Sequence, residues 1–399
     1  MDTTTRAGFL GRKFTGLPRS FWVLWGGTLV NRLGTMVQPF FAFYLTGTRG
    51  LSLAQAGLVL TVFGCGSLVS QLLSGWLADR FGRRVTLTGG MLATTAIMLV
   101  LAYSSAVPII AGCMLLLGIA IDIYRPASNA LVADLIPAAQ RPKAFGLLFW
   151  AINLGFTGGM LTGGLLAQST VLLLFWIDAL TCAVFGLMVW FAVPESHRRP
   201  ANRAESGSFT DVLRDRVMIA FTLVTTAYGI VYLQSMLTLP LAVKGDGLPT
   251  SSYGIVMAGN GIVIVIVQPL LVNWLGRHDH GRIAAIGMAL VGIGFGLTAF
   301  ASTLPGYLGT VVVWSIGEIF FAGVSSTIAA NLAPPHLRGR YSGVYGFAWS
   351  LSSLVAPLLG TTLLAHGAAT LWLTCALLAL LAALGTLLLT PAIRRRTAR

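Results

Sequence analysis

The sequence predicts an all-α integral membrane protein, with twelve transmembrane helices arranged as two pseudo-symmetric halves of six. Three observations carry that prediction. The chain is 56% hydrophobic and only 10% charged, with a mean hydropathy of +0.82, whereas a soluble domain carries about 25% charged residues. Its apolar residues come in runs about long enough to cross a hydrocarbon core of roughly 30 Å at 1.5 Å per residue. Finally, landmarks in the first half of the chain recur in the second at a constant offset.

Bounded by charge or by Pro and Gly, the apolar runs fall near 20–45, 54–78, 86–104, 107–133, 143–167, 171–193, 217–241, 252–275, 283–302, 307–333, 341–365 and 370–391. An even number of spans puts both tails on one side. Of the 26 Lys and Arg, 22 fall in alternate loops and the two tails, leaving Arg49 and Lys244 in the opposite loops and Arg32 and Arg125 inside spans. Basic residues gather on the cytoplasmic side, so both termini are expected there, in a plasma (inner) membrane protein. This distribution also explains the net charge of +14 without nucleic acid. Arg394 to Arg396 and Arg399 form a basic tail suited to anionic lipid headgroups. Cys65, Cys113, Cys182 and Cys375 lie in apolar runs with no Cys-x-x-Cys spacing, so buried thiols are expected rather than a metal or a disulfide. Residues 1–20 are polar and basic and the first apolar run exceeds a signal-peptide core, so no cleavable signal is expected.

The longest linker, 194–216, holds five arginines with Ser, Asn and Pro. It divides the chain into a bundle at 1–193 and a second at 217–399. Within it, Phe209, Val212 and Leu213 have the spacing of a short interfacial helix. Adding 197 to Asp134, Pro137, Arg141, Lys143 and Gly146 gives Asn331, Pro334, Arg338, Arg340 and Gly343. The same shift takes Gly163 to Gly360 and Met160 to Pro357. Matches this dense, with conserved chemistry inside ten residues, mark a tandem repeat.

Between the second and third runs lies Gly75-Trp76-Leu77-Ala78-Asp79-Arg80-Phe81-Gly82-Arg83-Arg84, read as a short charged loop of a helical hairpin. It resembles motif A of the major facilitator superfamily, and with the repeat it extends the resemblance over essentially the whole chain. That resemblance implies a gating role for Gly75, Asp79, Arg80, Gly82 and Arg83, with Asp79 facing the start of the eleventh span near Tyr341; anchoring by positive charge alone is the simpler alternative. In the fifth span, Gly155, Gly159, Gly163 and Gly164 resemble motif C of antiporters, with Met160 in place of its proline. The same glycines also suit ordinary close helix packing.

Ionisable groups inside the spans are Arg32, Asp122, Arg125, Asp178 and Glu318, each costly there and so a functional candidate. In the facilitator fold, spans 1, 4, 7 and 10 line the central cavity, which implies a substrate cavity including Asn31, Arg32, Tyr228, Tyr232, Gln234 and Trp314. Asp122 and Arg125, three apart on one helical face, can pair; Arg125-Pro126-Ala127-Ser128 resembles the motif B region of drug:proton antiporters. The pair reads either as a coupling element or as a static ion pair. Glu318 has no cation three or four residues away, which makes it the first candidate proton carrier, the alternative being a structural pair with Arg32. Asp178, on a span that is peripheral in the family, reads as a structural hydrogen-bonding group. Histidine is excluded by position, because all five lie in loops or at helix ends.

The resemblance implies a secondary carrier, similar to the multidrug-efflux and drug:proton antiporter branch, exporting small amphipathic molecules against a proton gradient. Proton-coupled import or facilitated diffusion of a nutrient or metabolite stands as the alternative. No catalytic constellation is recognisable, so an enzyme is not expected. Neither a metal nor a cofactor is expected beyond the proton gradient; the expected partners are substrate, protons and lipid, with the chain acting as a monomer.

Overall fold

The computed structural model describes residues 17–137, 140–195, 209–334 and 337–397. Among the described residues the chain is helical, without strands. The elements are α1 (Arg19–Gly34), α2 (Val37–Phe43, running on into a wider turn at Tyr44–Thr48), α3 (Leu53–Phe81), α4 (Arg83–Tyr103), α5 (Val107–Leu135), α6 (Arg141–Ser169) and α7 (Val171–Ala192). Within the linker lies α8 (Phe209–Arg214), and then come α9 (Arg216–Leu237), α10 (Leu239–Gly245), α11 (Thr250–Leu275), α12 (His280–Thr298), α13 (Leu304–Leu332), α14 (Arg338–Ala365) and α15 (Ala368–Thr397). Ten of the described helices are long and apolar enough to cross a membrane. Helix α1 is only 16 residues long because the chain breaks after it. In α5 the apolar stretch is Val107–Ile121. Large apolar side chains such as Leu270, Phe300 and Leu388 stay exposed on the outer surface, as lipid-facing positions require.

Two expected continuous spans are interrupted. The first breaks at Thr35 and Met36, where the Met36 amide turns back to the Gly34 carbonyl at 2.7 Å; Pro39, three residues on, has no amide to donate. The seventh breaks at Thr238, just before Pro240 in the first turn of α10. Proline alone does not decide this, since Pro269, Pro357 and Pro391 sit inside unbroken helices.

The expected charged loop at 75–84 is also corrected. Helix α3 runs to Phe81 and α4 starts at Arg83, so Gly82 alone makes the turn. Its φ of +92° is one that side-chain-bearing residues rarely adopt. A Cβ there would also lie 2.6 Å from the Glu195 carboxylate. Glu195 accepts hydrogen bonds from the backbone amides of Arg83 at 2.9 Å and of Arg84 and Val85 at 3.4 Å, placing an anion on the N-terminus of α4.

Two further carboxylates cap helices after the linker. Asp215 accepts from the amides of Val217 (3.0 Å) and Met218 (3.3 Å), from the Tyr341 hydroxyl (2.7 Å) and from Arg396. Burial pushes its pKa up, but the Arg396 and Tyr341 donors outweigh burial and hold it below the usual carboxylate range. Asp279 takes the Arg282 amide at 2.8 Å and pairs with Arg394. It too lies low, the cap and Arg394 outweighing partial burial.

Helices before and after the linker meet chiefly through α3 against α14 and α6 against α11, with α2 touching α9 and α10. At Gly164 the α6–α11 approach leaves no room for a side chain, since a Cβ would lie 2.9 Å from Cα of Gly254.

Candidate functional site

Glu318 lies midway along α13, and three helices converge on it. Its Oε1 accepts the Tyr232 hydroxyl of α9 at 2.8 Å. Its Oε2 accepts Nδ2 of Asn260, on α11, at 2.9 Å, and the same amide donates to Ser315 Oγ at 2.9 Å. Tyr232 is stacked on Tyr228 and meets Trp349 of α14 edge-on at 5.9 Å. Glu318, Tyr232 and Trp349 are each half-buried, whereas Asn260 and Ser315 are buried. Both carboxylate oxygens are therefore held by neutral donors, in a residue that is partly exposed. Such a group can exist charged, accepting both hydrogen bonds, or protonated, and can exchange its proton where water reaches it.

A second acid, Asp178 of α7, lies among helices before the linker. Its Oδ1 accepts from the Cys182 thiol at 3.5 Å, and Cys182 Sγ in turn accepts Nδ2 of Asn31 at 3.2 Å. The Arg32 charge acts on the same carboxylate. Oδ2 is buried with no hydrogen-bond partner.

The structure redistributes the expected cavity residues. Tyr232 touches Glu318, and Tyr228 lies beneath it, fully buried against Phe321 with ring centroids 4.0 Å apart. Gln234 is fully buried, its Nε2 donating to the carbonyls of Ile230 and Ala356 and its Oε1 accepting from Thr238. That amide ties α9 to α14, a correction to its expected place in a cavity. Trp314 is corrected likewise: it is sealed between Gly294 and Phe295 of α12, in a ring stack that continues to Trp372. Asn31 and Arg32 stand with Asp178 rather than with Glu318.

Gly155, Gly159 and Gly163 line the face of α6 against α1 and Met36, with Gly155 against the Arg32 Cβ, while Gly164 meets α11. In the 75–84 segment, Arg80 is exposed with its guanidinium over the Phe81 ring, Gly82 makes the turn and Arg83 opens α4. Asp122 and Arg125 belong to α5, and Gly75 and Asp79 to α3, but their side chains lie outside the described residues.

A search for ionisable groups could not find Asn260 or Ser315, because both are neutral. Ser315 sits one turn before Glu318 on α13 and was legible as its neighbour; Asn260, on a separate helix, was not. Glu195 and Asp215 escaped because they sit in the linker, where acids read as solvated.

The fold and the site define a multi-pass membrane protein with a hydrogen-bonded carboxylate among its helices, the class of the membrane carriers. The chain belongs to the Major Facilitator Superfamily, whose sequence pattern matches residues 24–357 and 235–399. It is 25% identical over 352 residues to the uncharacterized MFS-type transporter YqjV of Bacillus subtilis, covering 85% of each chain. Multidrug resistance protein MdtH of Aeromonas hydrophila is 29% identical over 348 residues, covering 85% of this chain and 83% of its own. A Na(+), Li(+), K(+)/H(+) antiporter of Planococcus maritimus is 24% identical over 369 residues, covering 84% and 86%. In fold, the chain is similar to the peptide transporter POT in complex with sulfate, with a TM-score of 0.82 at 15% identity over 96% of both chains. These relatives are transporters, not enzymes.

Proposed function

We propose that this chain is a secondary active transporter that exports small amphipathic molecules by proton antiport and alternating access. Its twelve spans form two six-helix halves joined by the 194–216 linker, with both termini and the linker in the cytoplasm of a plasma-membrane protein acting as a monomer. The first span comprises α1 and α2, and the seventh α9 and α10. The observation that carries the reading is the partly exposed Glu318, its carboxylate held at mid-span by the neutral donors Tyr232 and Asn260. Proton coupling needs a group that is charged in one half of the cycle and neutral in the other, placed where water and substrate both arrive. Several relatives bear multidrug-resistance or antiporter names, which supports export. Asp122 and Arg125 sense or share the proton, and Asp79 with Arg80 and Arg83 latches the cytoplasmic side.

The test uses the full chain in sealed proteoliposomes carrying a pH-sensitive dye, challenged with a panel of amphipathic cations. Antiport predicts proton movement opposite to the compound; movement in the same direction makes the protein an importer. Labelling Ser206→Cys in intact cells with an impermeant maleimide tests the topology, and efficient labelling from outside would overturn it.

A further inference from the structure

The two interrupted spans break beside the same cavity. It holds about 490 Å³ of empty space, part of it open, between helices from before and after the linker. Gln38 and Phe41, just past the break at Thr35–Met36, line it from α2. Met236 and Leu237, just ahead of the break at Thr238, line it from α9. Between them stand Phe63 of α3 and Ser353 of α14. These two helices approach closely on either side of the cavity: a Cβ on Gly57 would lie 2.2 Å from Thr361 Oγ1, and one on Gly64 2.3 Å from the Ser353 carbonyl. The cavity fills the stretch of about two helical turns between those glycines. Neither Arg32 nor Gln234 lines it.

The lining is apolar except at two points. Among the described residues none of those lining it is ionisable. Its polar side chains are Gln38 and Ser353, both half-buried, and neither has a hydrogen-bond partner among the described residues. Serine in a helix can bond its hydroxyl back to the carbonyl four residues earlier. Ser352 does so to Ala348 at 2.8 Å, whereas its neighbour Ser353 does not. An uncommitted amide and an uncommitted hydroxyl in apolar walls suit a ligand that is apolar in bulk and polar at one point. Phe41 and Phe63, with ring centroids 6.3 Å apart, add aromatic faces. One turn back along α9 and α14, Tyr232 and Trp349 form the aromatic wall beside Glu318. Met236 follows Tyr232 by four residues, and Ser353 follows Trp349 by four, so each pair shares a helical face. The Glu318 site and the cavity are therefore neighbouring compartments.

We propose that this cavity is a second compartment of the substrate site, taking an uncharged aryl group with one hydrogen-bonding substituent, which Gln38 and Ser353 select. The proposal rests on the transporter reading above and names the part of the substrate that Glu318 does not hold. The Gln38 amide and the Ser353 hydroxyl can each donate and accept. A carboxamide on the ring satisfies them, while a bare ring leaves them unpaired. A carboxylate is rejected, because burying a charge is costly without a partner and the described lining offers no cation.

The experiment measures equilibrium binding of three radiolabelled probes to the full chain in lipid nanodiscs, without a pH gradient. The probes are phenylpropylammonium and its para-carbamoyl and para-carboxy derivatives. The carbamoyl probe should bind about tenfold tighter than the unsubstituted one, and the carboxy probe weakest of the three. Gln38→Leu should cut the carbamoyl preference to about twofold, and Ser353→Ala should cut it about threefold. Met236→Trp, which fills the cavity from a half-buried position, should weaken the carbamoyl and unsubstituted probes together. Equal binding of those two probes by wild type, or binding of neither, overturns the proposal. So does a preference that survives in both Gln38→Leu and Ser353→Ala, or tightest binding of the carboxy probe. Undiminished binding by Met236→Trp overturns the location. Should Gln38→Leu fail to fold, Ser353→Ala reads the same ratio, and an unchanged ratio there overturns the proposal. Failure of the antiport reading would appear instead as proton movement along with the compound in proteoliposomes, and leaves these binding ratios as they are.

Discussion

Glu318 and Asp178 are both carboxylates in apolar helices, yet their surroundings differ in kind. Glu318 stands on an unbroken helix, partly exposed, with both oxygens satisfied by Tyr232 and Asn260. Asp178 is sealed at 2% exposure, accepts the Cys182 thiol at one oxygen and keeps the other bare. The first is the proposed proton carrier, with two neutral donors on its oxygens; the second is set beside Asn31 and Cys182 and feels the Arg32 charge. Burial alone therefore does not specify a role for an acid in a membrane; what its oxygens hold does.

The largest expected effect breaks the Glu318 side of this comparison. Glu318→Gln should abolish accumulation driven by ΔpH, while substrate counterflow without a pH gradient stays measurable in the same vesicles. Accumulation by the variant against a gradient on ΔpH alone would move the proton site to Asp122. A smaller effect sharpens it: Asn260→Leu strips Oε2 of its donor without touching the acid and should slow ΔpH-driven transport about tenfold, equivalent to about 1.4 kcal/mol. A rate within twofold of wild type would mean that Asn260 merely fills space.

Helix ends outside the membrane extend the comparison to carboxylates that hold backbone amides. Gly82→Ala should cost about 1–2 kcal/mol from the positive φ alone, and more from displacing Glu195, read as a lower melting temperature in detergent; an unchanged melting temperature would contradict the one-residue turn. Asp215→Ala should cost about 1 kcal/mol as a lost cap. Because the folded-state pKa of Asp215 is held down, its stabilisation is complete above the unfolded value of about 3.9 and fades as pH falls through the lower folded value. The gap in melting temperature between wild type and Asp215→Ala should therefore be flat at neutral pH and close only in strong acid. A gap that changes between neutral pH and about pH 5 would point to another group.

Much of the architecture was legible because the bilayer imposes it. Runs of about twenty apolar residues can satisfy their backbone only as helices, and the ends of those runs lie close to the ends of α3 to α7 and α11 to α15. The 197-residue repeat and the segment 75–84 point to the family from the sequence alone. The charged loop was misread because one glycine suffices for the turn. The breaks at Thr35 and Thr238 were missed because their prolines have counterparts inside unbroken helices.

By itself, the sequence determined composition, the all-helical membrane class and the few acids available for chemistry, since hydropathy and charge are properties of the chain alone. Only the tertiary structure decided that Glu318 meets Asn260 and Tyr232, that Gln234 and Trp314 are sealed into helix contacts, and that Asp178 stands with Cys182 and Asn31. The physical reason is direction. Periodicity tells which residues share a face of one helix, but the partner that face meets depends on how the helices rotate and tilt against one another. Within the bilayer that is set by close packing at positions such as Gly155, Gly159 and Gly164, because apolar burial no longer distinguishes a neighbouring helix from lipid.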